Sequence, residues 1–167
     1  DSAGTDLEDD GPPPPASATV TVDLASIRAV RDCDSGDNPG DFHFRVSFVD
    51  GRNQSIGSVV EIPAGRYGSD GTEANTIQLD DGESFPLNES VSFTLPEQDG
   101  SAFTVQFMMI EWESATARDA QADDASRLGT YEFVDGRFRN IAGSQALVIN
   151  PTSRTCQTRL EYSITVG

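Results

Sequence analysis

"FTVQFMMIEWE", residues 103 to 113, sets Phe103, Val105, Phe107 and Met109 on one side of an extended chain and Thr104, Gln106 and Met108 on the other. A period of two belongs to a strand with one buried face. Continued outward, the same phase takes in Glu111 and Glu113, so two carboxylates end an otherwise apolar inward face. A carboxylate held there without a counter-charge is costly. A hard cation gripped by several carboxylate oxygens removes that cost, and calcium (Ca2+), with six to eight oxygen ligands, suits such a site better than magnesium. Zinc would call for His or Cys. The residues that follow add Asp119, Asp123 and Asp124, making five acids in the fourteen residues from Glu111 to Asp124.

The same alternation recurs along the chain. "FHFRVSFV" (42–49) sets Phe42, Phe44, Val46 and Phe48 against His43, Arg45 and Ser47, and Asp50-Gly51 follows as a tight-turn pair. "SVSFTLP" (90–96) alternates Val91, Phe93 and Leu95 with polar residues, and "RLEYSITV" (159–166) alternates Leu160, Tyr162, Ile164 and Val166. Adding "ATVTVDL" (18–24), "QSIGSVVEI" (54–62), "TYEFV" (130–134) and "ALVI" (146–149) gives about eight strands parted by Gly, Asp, Asn and Pro. Helical periodicity is absent, apart from room for one turn within 118–127. The expectation is an all-β, eight-stranded antiparallel β-sandwich over 18–167. Residues 1–17, "DSAGTDLEDDGPPPPAS", carry five acids and four consecutive prolines, and read as an extended acidic tether.

Totals exclude some partners. The chain has 167 residues, a one-domain length, with 28 acids against 11 bases, all arginine, for a formal charge of −17. Such a field repels nucleic acid and anionic lipid and attracts cations, so neither nucleic acid nor an acidic membrane is expected as a partner. No apolar run approaches a membrane span. No GxSxG elbow, phosphate loop or HExxH motif occurs, and a non-enzymatic role is expected. Asn53 and Asn88 open sequons, relevant only to an exported chain.

A second acidic cluster, "RDCDSGDNPGDF", holds Asp32, Asp34, Asp37 and Asp41 between two strands. It fails as an EF-hand loop, because Gly36 stands at the third ligand position and His43 at the closing one. It is therefore half of a site whose other half lies elsewhere. Asp80 and Asp81 read as solvated surface charge. His43 itself is expected to face outward or an interface, and Trp112 to pack at the rim.

Three motifs in order resemble the C2 domain, a calcium-binding β-sandwich family. "GDFHFRVSF" is similar to the family's strand entry after its first calcium loop, and "FPLNESVSFTLP" to its Asn-Glu-bearing strand. "VQFMMIEWESATARD" is similar to the strand and third loop in which acids follow an acid-x-acid-x5-acid spacing, and "DDASRLG" to the exit from that loop. The resemblance covers about 18–167. It implies Asp34 and Asp41 as ligands from the first loop and Glu111, Glu113 and Asp119 from the third, with Asp124 or Asp123 as a further ligand. Two Glu stand where the family has Asp, the third-loop exit carries an insertion, and the basic face used for phosphoinositides has no lysine. Calcium binding is thus implied more strongly than membrane docking.

In the C2 arrangement where the last strand lies beside the first, Cys33 and Cys156 fall at the same end. That arrangement implies a Cys33–Cys156 disulfide and an oxidising compartment. The expected function is an exported calcium-binding sandwich that serves as a structural or assembly subunit of a filament or surface layer, self-assembling through its N-terminal tail. The alternative is a calcium-stabilised adhesion or ligand-binding module at the cell surface, tethered by that N-terminal tail, with another surface protein as its partner.

Overall fold

The computed structural model describes residues 11–32, 39–65, 75–112, 123–150 and 156–167, with the backbone alone at 112, 123 and 124. Ten strands occur: β1 (Ser17–Arg31), β2 (Gly40–Asp50), β3 (Val60–Ile62), β4 (Ile77–Leu79), β5 (Ser84–Pro96), β6 (Ala102–Trp112), β7 (Asp123–Val134), β8 (Arg137–Phe138), β9 (Ser144–Ile149) and β10 (Gln157–Val166). One sheet runs β5-β1-β10-β9. The other runs β3-β2-β6-β7-β8, with β4 paired to the same edge of β2 as β3. All pairings are antiparallel.

The sandwich class is as expected, but the count is ten rather than eight. The extra strands are β4 and β8, of three and two residues, too short to show a period of their own and formed only because β2 and β7 offer paired edges. The room for a helical turn at 118–127 is also corrected in part: residues 123–127 belong to β7, held by the β6 ladder from Glu111↔Asp123 to Phe107↔Arg127. β1 is longer than "ATVTVDL". Its inward residues are Ala18, Val20, Val22 and Leu24, then Ile27 and Ala29. A register shift between Leu24 and Ser26, seen against both neighbours, moves the buried phase from even to odd positions.

The core is the inward set of both sheets. Phe103, Val105, Phe107 and Met109 on β6 are fully buried, as are Phe42, Phe44 and Val46 on β2. Phe93 of β5 meets Phe103 edge-on at 5.3 Å between centroids, joining the two sheets, and Phe103 stacks on Tyr131 of β7 at 5.0 Å.

A polar contact crosses the sheets where β7 faces β10. The hydroxyls of Tyr131 and Tyr162 lie 2.6 Å apart, buried, and Tyr131 also donates to Gln145 Oε1 at 3.3 Å. Burial pushes both phenols up, so neither ionises in the ordinary tyrosine range. Gly129 is what makes room: a Cβ there would stand 2.9 Å from the Tyr162 hydroxyl and 3.1 Å from Leu147 Cδ2. Gly129→Ala is expected to destabilise by about 1–3 kcal/mol, the range for overpacking a filled core. Tyr162→Phe removes the clashing oxygen, so the double variant should be less destabilised than the sum of the singles. Urea unfolding of all four proteins tests this, and strict additivity would refute the clash.

Candidate cation site at the outer end of β6

β6 carries an acid where its neighbours carry core. Glu111 has 0% exposure, like Met109, Phe107, Val105 and Phe103 before it on the same face. The inward phase read from residues 103–113 therefore holds as far as Glu111. The ladders place Phe42 opposite it on β2 and Asp123 opposite it on β7, while Asp124 stands opposite Ile110. Asp123 and Asp124 thus begin a strand rather than ending a loop.

The other sheet closes this end. Thr158 of β10, itself fully buried, donates through Oγ1 to Met109 Sδ at 3.3 Å. One step of two residues outward on each strand leads to Glu111 on β6 and to Cys156, 2% exposed, at the start of β10. β1 ends at the same place, since Arg31 pairs with Gln157.

Acids of the first cluster approach from β1 and β2. Asp32, just past β1, donates its backbone N–H to Asp81 Oδ1 at 2.6 Å, so Asp81 caps the turn out of β1. Expected to be mere surface charge, Asp81 is exposed but has this structural partner. A Cβ on Gly40 would lie 3.5 Å from Asp32 Cβ and 2.7 Å from the Phe42 ring, so only glycine lets β2 begin this close to the end of β1. Asp41 follows it, half-buried, and pairs with Trp112 rather than Glu111. Asp41 is thus one position out of phase with Glu111, on the opposite face of the sheet from it.

Of the implied ligands, Asp41 and Glu111 are placed at this end with their side chains, and Asp124 by its backbone. Asp34, Glu113 and Asp119 lie outside the described residues, as do Asp37 and Cys33, and the side chain of Trp112. Among the described residues no group of three or more His, Cys, Asp or Glu side chains could hold a metal ion. What is present at the β6 end fits a hard cation in kind: the acids are carboxylates, and no histidine stands among them.

His43 departs from expectation. It alternates outward on β2, yet is 3% exposed, with Nδ1 2.9 Å from Asn75 O and Nε2 3.7 Å from Glu61 Oε2. Residues beyond its own strand cover it, and no local period signals that. Thr158, whose hydroxyl is buried against a thioether, was also missed, although the phase of Leu160, Tyr162 and Ile164 carried back two residues turns it inward.

No protein-family model and no curated protein matches the chain. Several solved structures do resemble it. Human GIVD cytosolic phospholipase A2, in complex with a fluorophosphonate, is 12% identical over 90% of this chain and 17% of its own, at a TM-score of 0.45. A C2 domain of plant Extended Synaptotagmin 1 is 10% identical over 89% of this chain and 94% of its own, at 0.42. A C2 domain protein from Ramazzottius varieornatus is 14% identical over 90% and 89%, at 0.39. This chain spans only about a sixth of the phospholipase chain it resembles.

Proposed function

We propose that this sandwich binds calcium at the outer end of β6 and serves, outside the cell, as a calcium-stiffened assembly unit. The observation that carries the metal reading is Glu111: a carboxylate with no exposure, closing the apolar face of β6 where the strand runs into the acidic stretch 113–124. Within that reading Glu111 and Asp41 supply oxygens from β6 and β2, joined by Asp34, Glu113 and Asp119. The ladder favours Asp123, the partner of Glu111, over Asp124 as the further ligand. The cation supplies positive charge that lets several carboxylates share one end of the domain.

Cys33 and Cys156 form the disulfide in this reading. Its support is that Cys156 is buried and not a free thiol, that the chain has only one other cysteine, and that β1 ends beside the start of β10. Such a bond implies export.

Thermal unfolding tests the metal. A ligand present at about a hundred times its Kd adds about 2.7 kcal/mol, or roughly 5–10 °C for a domain of this size. That rise is expected between excess chelator and millimolar calcium, and an unchanged midpoint would refute the site. Size exclusion and negative-stain microscopy of the native chain test the assembly role, which a monodisperse monomer in calcium would remove.

A further inference from the structure

We propose that a groove between β8 and the β5–β6 turn is the receptor for the acidic N-terminal segment, Asp1–Asp10, of a second copy of this chain. The inference rests on the assembly reading above and names the surface that would carry it. The groove encloses ≈ 580 Å³, in scale with a short peptide segment. Ile141 and Val166 give it a half-buried apolar floor beside the buried Phe138 ring. Arg137 and Arg139 stand on its wall, two residues apart on either side of Phe138.

In a chain with 28 acids and 11 bases, that pair is the feature to explain. Arg139 is held by Asp135 in an i,i+4 ion pair. Arg137 is exposed and makes no ion pair among the described residues. The segment that would match it is "DSAGTDLEDD", in which Leu7 is flanked by Asp6, Glu8, Asp9 and Asp10. One apolar side chain suits the floor, and the acids beside it suit Arg137. Among the described residues Glu97 is the one acid on the wall, at the side where the tail joins the domain.

Geometry favours a second copy over the chain's own tail. Glu97 N–H donates to Ala16 O at 2.6 Å, so the tail leaves the domain at the edge of this groove. Yet residues 11–16 are all exposed, and Gly11 has open space around it. Pro12–Pro15 make a stiff extended spacer of about 3 Å per residue. A spacer that starts at the groove and leads off the surface presents the acids to a neighbour. Repeated head to tail, the contact is heterologous and builds rings or open filaments.

The test uses a labelled peptide of residues 1–10, titrated into the full chain whose own tail is neutralised by D6N, E8Q, D9N and D10N. Saturable binding at about 0.15 M salt is expected, weakened about tenfold by Arg137→Glu and lost near 1 M salt. A peptide carrying Glu8→Lys and Asp9→Lys should regain affinity for the Arg137→Glu chain, which a folding defect would not allow. Alongside, the unaltered chain should gain mass with concentration on sedimentation, and Arg137→Glu should return it to monomer. Absence of peptide binding, or indifference to Arg137→Glu, overturns the groove and leaves assembly through another surface standing. Peptide binding by a chain that stays monomeric at every concentration places the tail in its own groove, and overturns docking between copies together with the assembly role.

Discussion

Adding a reductant is expected to lower the thermal midpoint of this chain by up to roughly 8–20 °C. The proposed Cys33–Cys156 bond closes a loop of about 120 residues, for which chain-entropy reasoning gives roughly 4 to 5 kcal/mol as an upper value. A domain of this size loses about 2–4 °C per kcal/mol. The effect is larger than that of any single surface contact, because the bond would close a loop holding most of the chain, tying the end of β1 to the start of β10. Reduction is the cleaner experiment than Cys156→Ser, since Cys156 is 2% exposed and a serine there buries a hydroxyl with a cost of its own. Cys33→Ser separates the two effects: it breaks the same bond without placing a hydroxyl at position 156. Reduced wild type and Cys33→Ser should therefore unfold at similar midpoints, with Cys156→Ser at or below them. Two alkylated thiols in the intact mass of the native chain, or a midpoint that ignores reductant, would remove the disulfide and the inference of export with it.

Much of this was legible because two-residue alternation is read directly from sequence when one face is buried. Phe42 to Phe48, Phe103 to Met109 and Leu160 to Ile164 announce β2, β6 and β10, the strands at the centre of each sheet. Glu111 was legible for the same reason, since only its phase marks it as inward. Three features escaped. The second half of β1 is hidden by the shift near Ala25, which turns Ile27 inward where the earlier phase would place it outward. The start of β7 offers Ser126, Arg127 and Leu128 to solvent, so its strand character comes from the β6 ladder and not from its own pattern. His43 is covered by residues remote in sequence, Asn75 and Glu61, and nothing local to β2 foretells that. In each case the missing information is non-local pairing, which a window of about ten residues does not contain.

Pairing also explains why the candidate site sits where it does. Three chain crossings converge at the outer end of β6: the exit from β1, the entry to β2 and the entry to β10. Gly40 allows the first two to approach, and the Thr158–Met109 contact pins the third against β6. A cation bound there would add one more link between these segments, so it should act on stability as a cross-link does.

Glu111→Gln is the substitution that decides whether this happens. The amide matches the carboxylate in size and fills the same buried volume, but it removes one unit of charge from the centre of the proposed ligand set. In wild type, calcium at about a hundred times its Kd is expected to add about 2.7 kcal/mol. In Glu111→Gln most of that increment should vanish, while the midpoint in chelator remains measurable. Glu111→Asp keeps the charge and shortens the reach by one methylene, so it should retain part of the calcium response, which separates loss of a ligand from loss of packing. Asp99→Asn serves as the control for net charge: it lies in the turn between β5 and β6, at the other end of the strand, and should leave the calcium shift intact. Calorimetric titration of the four proteins reads the same quantity without unfolding them. A full calcium shift in Glu111→Gln would mean that the buried acid serves the fold and not the ion, and the site would then have to be built from the acids of 113–124 without β6.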